Sequence, residues 1–296
     1  MLQYHTKRHP APTETTIQFT RAHGLGNDYL VLETKEILTP QLVIAICNRH
    51  TGIGSDGILE PFYDEKADYG VRIHNPDGTL AEKSGNGLRI FAQWIADTNQ
   101  VFDFTLSTGF SVVSAHVGPD EVTVEMGQVT FIPSQIPVIS DSPMVESPLL
   151  VDGTPLLVTA VGIGNPHCVH FCEDPDQLNW RHLGKQIEVH QRFPNRVNVQ
   201  FANVLGPQRL GLRIWERGAG ETSASGSSSC AVAAVAVKAG LAKPNEPICM
   251  AMQGGELTVT ITDKWQAVLT GPVEIIGRFT INASWLANHK TTHPPS

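Results

Sequence analysis

Trp215-Glu216-Arg217-Gly218-Ala219-Gly220-Glu221-Thr222-Ser223-Ala224-Ser225-Gly226-Ser227-Ser228-Ser229-Cys230 runs on into Ala231-Val232-Ala233-Ala234-Val235-Ala236-Val237. This stretch reads as a strand end, a glycine-rich turn, a cluster of hydroxyls and an apolar helix. A glycine-rich loop that opens a helix aims unpaired backbone N–H groups at one point, and the helix dipole adds positive potential there. Phosphate or carboxylate is the natural guest. No polar face appears before Lys238, so the helix is expected to be buried, with Gly240 as its stop.

An echo lies earlier. Lys83-Ser84-Gly85-Asn86-Gly87 opens onto Leu88-Arg89-Ile90-Phe91-Ala92-Gln93-Trp94-Ile95-Ala96. Both passages place Ser-Gly-polar at the mouth of an apolar helix. Two such mouths point to two similar halves facing each other across one ligand. Ser84 and Ser225 equally fit ordinary helix N-caps, a position that serine favours.

The chain has 296 residues, enough for two domains, and its 41% apolar and 17% charged content allows a sizeable core. A formal net charge of −8 argues against a nucleic-acid or anionic-membrane partner. No apolar run approaches the roughly 20 residues of a membrane span. Residues 1–16 are polar, hold no signal-peptide core and read as a disordered extension, and residues 288–296 read as a frayed tail. Five scattered cysteines fit a reduced, cytoplasmic protein better than a disulfide framework.

Taken in order, residues 17–20 and 30–32 read as strands around Ala22-His23-Gly24-Leu25-Gly26-Asn27-Asp28-Tyr29, where the glycines allow close backbone approach. A plain hairpin turn is the other reading of that segment. Residues 40–48 read as a helix. Gly52-Ile53-Gly54-Ser55-Asp56-Gly57 turns into a strand and lacks the following helix and Lys-Ser/Thr of a nucleotide loop. Strands are expected at residues 69–75, 102–106, 110–117, 121–126 and 155–161. The Pro- and Ser-rich residues 130–149 mark a domain boundary. Cys168, His170 and Cys172 share one strand face, but their spacing matches no standard zinc knuckle and reads as packing. A helix at 178–190, strands beginning at 193 and 210, and hairpin material at 252–259 and 267–272 complete an α+β pattern.

The motifs His23-Gly24-Leu25-Gly26-Asn27-Asp28, Asn75-Pro76-Asp77-Gly78, Gly85-Asn86-Gly87, Gly164-Asn165-Pro166-His167, Pro194-Asn195-Arg196-Val197-Asn198-Val199, Glu216-Arg217-Gly218-Ala219-Gly220-Glu221-Thr222 and Leu269-Thr270-Gly271-Pro272 are specific in this order and spacing. In them the chain resembles diaminopimelate epimerases from about residue 19 to residue 279. The resemblance implies two pseudo-symmetric domains, each a mixed β-sheet curled around a central apolar helix. The divisions are 17–130, 131–274, and a crossover at 275–287 back to the first domain. It implies a homodimer, a small amino-acid substrate, and epimerisation at an α-carbon with no cofactor, pyridoxal phosphate included, and no metal. LL- and meso-diaminopimelate, precursors of lysine and peptidoglycan, are the interconverted pair.

The resemblance assigns substrate contacts to Asn27, Asn75, Gly85, Asn86, Asn165, Asn198, Glu216, Arg217, Gly226 and Ser227. Gly85, Asn86, Gly226 and Ser227 fall on the reacting carboxylate; Asn75, Asn198 and Arg217 fall on the distal end. His167 and Glu216 match residues that tune two catalytic cysteines, which precede Gly85 and Gly226. Here those positions are Ser84 and Ser225. A thiol ionises at about pH 8.5, whereas a serine hydroxyl is a weak base unless a neighbour takes its proton. Cys230 lies about one turn into its helix and is expected to be buried, so it does not replace them. Three functions remain open: the epimerase, another proton-transfer isomerase of a dicarboxylate on the same fold, and a binding protein that has lost the chemistry.

Overall fold

A computed structural model describes residues 16–290. The extension at residues 1–15 and the end of the tail at 291–296 lie outside the described residues. The first half runs β1 (Gln18–Gly24), β2 (Asn27–Leu32), α1 (Pro40–Cys47), β3 (Ile58–Phe62), β4 (Tyr69–His74), β5 (Leu80–Ala81), α2 (Gly85–Asn99), β6 (Asp103–Ser107), β7 (Val112–Val117) and β8 (Val122–Gln128). After β9 (Ser147–Val151), the second half repeats that order. It runs β10 (Thr154–Gly162), β11 (Pro166–Phe171), α3 (Trp180–Glu188), β12 (Asn198–Gly206), β13 (Arg209–Glu216), β14 (Gly220–Thr222), α4 (Gly226–Lys238), β15 (Ile248–Met252), β16 (Gly255–Ile261) and β17 (Gln266–Gly271). The last elements are β18 (Glu274–Thr280) and α5 (Ala283–Lys290), so Asn288, His289 and Lys290 are helical.

The strand pairings repeat as well. An antiparallel hairpin leads to a parallel neighbour in each half: β1–β2 then β2–β3, and β10–β11 then β11–β12. β4 pairs in parallel with β6, and β13 with β15, each across its central helix. A right-handed helical crossover is the usual way to join parallel strands, and it places α2 and α4 inside the two curled sheets. Antiparallel pairing of β8 with β17 joins the halves. β18 pairs with β1, as β9 pairs with β10, so the end of the chain completes the sheet of the first half.

Both central helices are buried for the reason their composition gives. Gly226 through Ala236 of α4 are all buried, and Gly240, at φ +73°, ends it where only a residue without a Cβ sits easily. Along α2, Leu88, Ile90, Phe91, Ala92, Ile95 and Ala96 face the sheet. Each of the leucine, isoleucine and phenylalanine side chains taken from water stabilises the fold by about 1.5–3 kcal/mol before entropy is counted. Arg89 is the exception: a fully buried cation on that helix.

One strand begins later than the sequence pattern suggests. Residues 193–197 read as extended, but β12 starts at Asn198. Phe193 and Arg196 close tight turns onto the carbonyls of His190 and Phe193, and Arg196 sits at φ +60°. Burial of Phe193 and Val197 in the core beneath α3, rather than strand pairing, accounts for their apolar character.

Candidate functional site

The two helix mouths meet. A Cβ on Gly85 would lie 3.1 Å from the Cα of Gly226, and a Cβ on Gly226 would lie 3.0 Å from the Cα of Gly85. Any side chain at either position drives the helices apart, which is why both are glycine. Ser84 and Ser225 cap the helices with nearly the same backbone, φ −139°, ψ 118° and φ −149°, ψ 124°. The Gly87 N–H donates to Ser84 Oγ at 3.0 Å, and the Ser228 N–H to Ser225 Oγ at 3.4 Å. Both serines therefore cap helices and also line a cavity.

That cavity holds about 510 Å³, and both serines line it together with Asn27, Asn75, Gly85, Asn86, Asn165, Asn198, Glu216, Arg217, Gly226 and Ser227. Every residue singled out from the sequence reaches it except His167. Asn27 is fixed from both sides: its Nδ2 donates to Asp56 Oδ2 at 2.9 Å, and its Oδ1 accepts from Asn86 Nδ2 at 3.0 Å. Asn86 Oδ1 in turn accepts from Arg89 Nη2 at 2.8 Å. Arg49 bridges Asp28 and Asp56 at 2.7 and 2.6 Å, bracing the near end of this chain. Burial pushes the Arg89 guanidinium down to about 10, still charged near neutral pH, so it adds positive potential beneath the mouth of α2.

On the other side, Asn198 Oδ1 accepts from the Arg217 backbone N–H at 3.0 Å, and its Nδ2 donates to the Pro166 carbonyl at 3.0 Å. Buried Glu188 holds the following turn, accepting from Trp215 Nε1 at 2.7 Å and from the Gly218 N–H at 2.8 Å. The Arg217 guanidinium itself has loose partners, the Asn195 carbonyl at 3.5 Å and Glu82 at 3.8 Å. It remains able to fork onto a carboxylate. Asn75 is turned onto Thr79, with Nδ2 at 3.0 Å from its Oγ1.

His167 lies behind the wall. Its Nε2 meets Asn165 Oδ1 at 2.9 Å and its Nδ1 meets Gln200 Nε2 at 3.1 Å, so the proton sits on Nε2. Gln200 Nε2 donates as well to Ser228 Oγ. Both ring nitrogens are thereby taken, and neither mouth serine is a partner. Burial first, then the nearby Arg217 charge, push the imidazole down to about 3. Glu216 shares the cavity wall with a mouth serine, Ser225. Burial pushes its carboxyl up, and the Ser225 side chain pulls it part of the way back.

Among the wall residues that sequence reasoning missed, three bear on the mouths or their amides. Tyr29 donates its hydroxyl to Ser84 Oγ at 3.1 Å. Thr222 lines the cavity with a buried Oγ1 that has no hydrogen-bond partner among the described residues. Asp56 orients Asn27. The signal for Tyr29 lay in the internal repeat. Gly24-Leu25-Gly26-Asn27-Asp28-Tyr29 aligns with Gly162-Ile163-Gly164-Asn165-Pro166-His167, which places Tyr29 opposite His167. Likewise Gly70-Val71-Arg72-Ile73-His74-Asn75, running through β4 to the residue after it, aligns with Gly211-Leu212-Arg213-Ile214-Trp215-Glu216 of β13, which places Asn75 opposite Glu216.

The trio of Cys168, His170 and Cys172 is engaged in packing. Cys168 is buried in the core, His170 Nδ1 meets the Leu157 carbonyl at 2.8 Å, and Cys172 Sγ meets the Ala202 carbonyl at 3.6 Å. Cys230 is fully buried, its thiol pushed up to about 12 by burial, so it is no nucleophile for the cavity. All five cysteines are free. No helix among the described residues is long and apolar enough to cross a membrane.

Residues 19–132 and 159–276 match the family model described as diaminopimelate epimerase, the gap between them falling on the Pro- and Ser-rich connection. The protein named diaminopimelate epimerase 2 of Nostoc sp. is 42% identical over 87% of this chain and 93% of its own length. The diaminopimelate epimerase of Cyanothece sp. is 37% identical over 88% of this chain and 97% of its own. Among solved structures, a hydroxyproline epimerase from Agrobacterium vitis matches at a TM-score of 0.67 with 14% identity, covering 92% of this chain and 94% of that one. That likeness is one of fold: two mixed sheets, each around a helix. With sequence matches across nearly its whole length, the chain belongs to the diaminopimelate epimerase family.

Proposed function

We propose that this protein interconverts LL- and meso-diaminopimelate by moving one proton between the two faces of an α-carbon. The observation that carries the reading is the contact between two serine-capped helix N-termini at Gly85 and Gly226, on the wall of a cavity that several asparagines and Arg217 also line. The α-carboxylate sits on the backbone N–H groups of the two mouths, with Asn86 and Ser227 beside it. Asn75, Asn198 and Arg217 take the distal amino-acid end. One mouth serine removes the α-proton. The bonding pair stays on the α-carbon and spreads into the carboxylate, whose growing charge the mouths stabilise. The other serine delivers a proton to the opposite face. His167 acts at one remove, holding Asn165 at the wall.

Serine in both posts needs help that cysteine does not, and Glu216 supplies it to Ser225 by accepting the hydroxyl proton. The same reading takes the protein to be a cytoplasmic homodimer whose domains divide near residues 130 and 275; sedimentation at graded concentration checks the dimer. The test of function is proton NMR of each diaminopimelate epimer in D₂O with the purified protein. Loss of the α-proton signal together with change in epimer ratio supports the reading. Binding without exchange would leave a ligand-binding protein, and exchange only with an unsaturated dicarboxylate would favour an allylic isomerase.

A further inference from the structure

A serine hydroxyl has one proton to donate and two lone pairs that accept. Counting these at the two mouths gives different answers. Ser84 Oγ accepts from the Tyr29 hydroxyl at 3.1 Å and from the Gly87 N–H at 3.0 Å. Both lone pairs are used, and only its proton is left to offer the cavity. Ser225 Oγ accepts only weakly, from the Ser228 N–H at 3.4 Å, and faces the cavity whose wall it shares with Glu216. One lone pair is left to offer the cavity. Tyr29 is 7% exposed, so its phenol is held in place by packing and competes little with water.

We propose that Tyr29 is a positioning residue that makes Ser84 the proton donor of the pair and leaves Ser225, with a lone pair free, as the acceptor, so that the two faces of the substrate are handled by chemically different groups. The inference rests on the epimerase reading and adds a direction to it. In the step from the resting enzyme, the α-carbon–hydrogen bond breaks and its proton goes to Ser225 Oγ as the Ser225 proton passes to Glu216. The electron pair remains on the α-carbon. The Ser84 O–H bond then breaks, its proton forms the new bond on the opposite face, and the alkoxide left behind is held by the Tyr29 hydroxyl and the Gly87 N–H. Burial pushes the Tyr29 phenol up, so it stays protonated and donates throughout. Water returns a proton to Ser84 and takes one from Glu216 between turnovers. The reverse reaction retraces this path from an enzyme with Glu216 protonated and Ser84 ionised.

The overall equilibrium constant ties the two epimerisation rates together, so their ratio cannot reveal a direction. Exchange with retained configuration can. The epimer whose α-proton faces Ser225 can lose it and regain a deuteron at the same face without Ser84. Single-turnover wash-in from D₂O is therefore measured from LL- and from meso-diaminopimelate, with wild type, Tyr29→Phe, Ser84→Ala and the double variant. Tyr29→Phe keeps the ring and its packing. It is expected to slow epimerisation about ten- to a hundred-fold, the usual loss for one hydrogen bond to a charged oxygen. Exchange with retention should persist near wild-type rate for one epimer and fall by that factor for the other. In the Ser84→Ala background, Tyr29→Phe should add no further loss, because its action passes through Ser84; a merely structural tyrosine would add its loss in both backgrounds. Persistence of exchange in Ser84→Ala for one epimer also shows that the variants fold. Equal losses for both epimers, or no loss, overturn the inference while leaving the epimerase reading in place. No exchange from either epimer with the wild type overturns both.

Discussion

The two halves of this protein share topology, strand pairing and even the dihedral angles of the capping serines, yet differ in what touches those serines. Ser84 accepts from Tyr29 of β2, whereas Ser225 shares the cavity wall with Glu216 of β13. The repeat would have paired them otherwise. The counterpart of Tyr29 is His167, which turns to Asn165 and Gln200, and the counterpart of Glu216 is Asn75, which turns to Thr79. A small change in the turns accompanies this: Gly24 pairs with Asn27 across two residues, whereas Gly162 pairs with Pro166 across three. The repeated scaffold builds a symmetric cradle for a carboxylate. The unrepeated partners give its two faces different acid–base character.

The comparison breaks most sharply at Glu216. Glu216→Gln should lower kcat by about 10²–10⁴, the usual worth of a positioned base. In wild type the rate should rise with pH along a limb set by a carboxyl lying above the ordinary carboxylate range, because only the ionised form accepts a proton. That limb should vanish in the variant. A pH–rate profile of both proteins checks this. Asn75→Gln, the change at the equivalent place in the other half, should not reproduce it.

Restoring thiols removes the asymmetry. Ser84→Cys with Ser225→Cys should raise the epimerisation rate by several tens-fold or more, within the acid–base factor of about 10²–10⁴, because thiolate is populated near neutral pH and alkoxide is not. Each single variant should gain much less, since the posts act as a unit. A double variant no faster than wild type that still binds diaminopimelate would show a pocket tuned to serine and to another reaction.

Beyond the mouths, Arg217→Lys should raise KM by about ten- to a hundred-fold, corresponding to about 1.5–3 kcal/mol for a lost bidentate contact. An unchanged KM would place the distal carboxylate elsewhere. His167 offers a smaller, purely structural contrast with Tyr29. The unfolded chain protonates this imidazole near pH 6.5, while the folded protein resists until about 3. The unfolded state therefore binds the extra proton throughout that window, and stability falls as pH drops through it, by up to about 1.4 kcal/mol per pH unit from this group. Urea midpoints from pH 7 to 4 should fall less steeply in His167→Gln than in wild type.

The scaffold was legible because its signals are local. Ser-Gly before an apolar run announced α2 and α4, and the glycines at 85 and 226 are required by a backbone contact that any side chain would block. Amides and Arg217 were legible through motif order. The serine partners were harder, because a hydrogen bond between residues 55 apart, such as Tyr29 to Ser84, leaves no mark in spacing. Tyr29 looks like strand filler, and Thr222 like turn chemistry, until the fold closes. His167 misled for the converse reason: it occupies a repeat position whose counterpart touches a serine, but its own ring is spent on Asn165 and Gln200.

A crystal structure with diaminopimelate bound would show whether two unlike mouths flank one carbon. The α-carboxylate should lie at the junction of Gly85 and Gly226, with the α-carbon between Ser84 Oγ and Ser225 Oγ. Those oxygens should lie no more than about 8 Å apart, since one carbon must be within reach of both. A ligand seated at one mouth only, or oxygens much farther apart than that in the closed state, would contradict it.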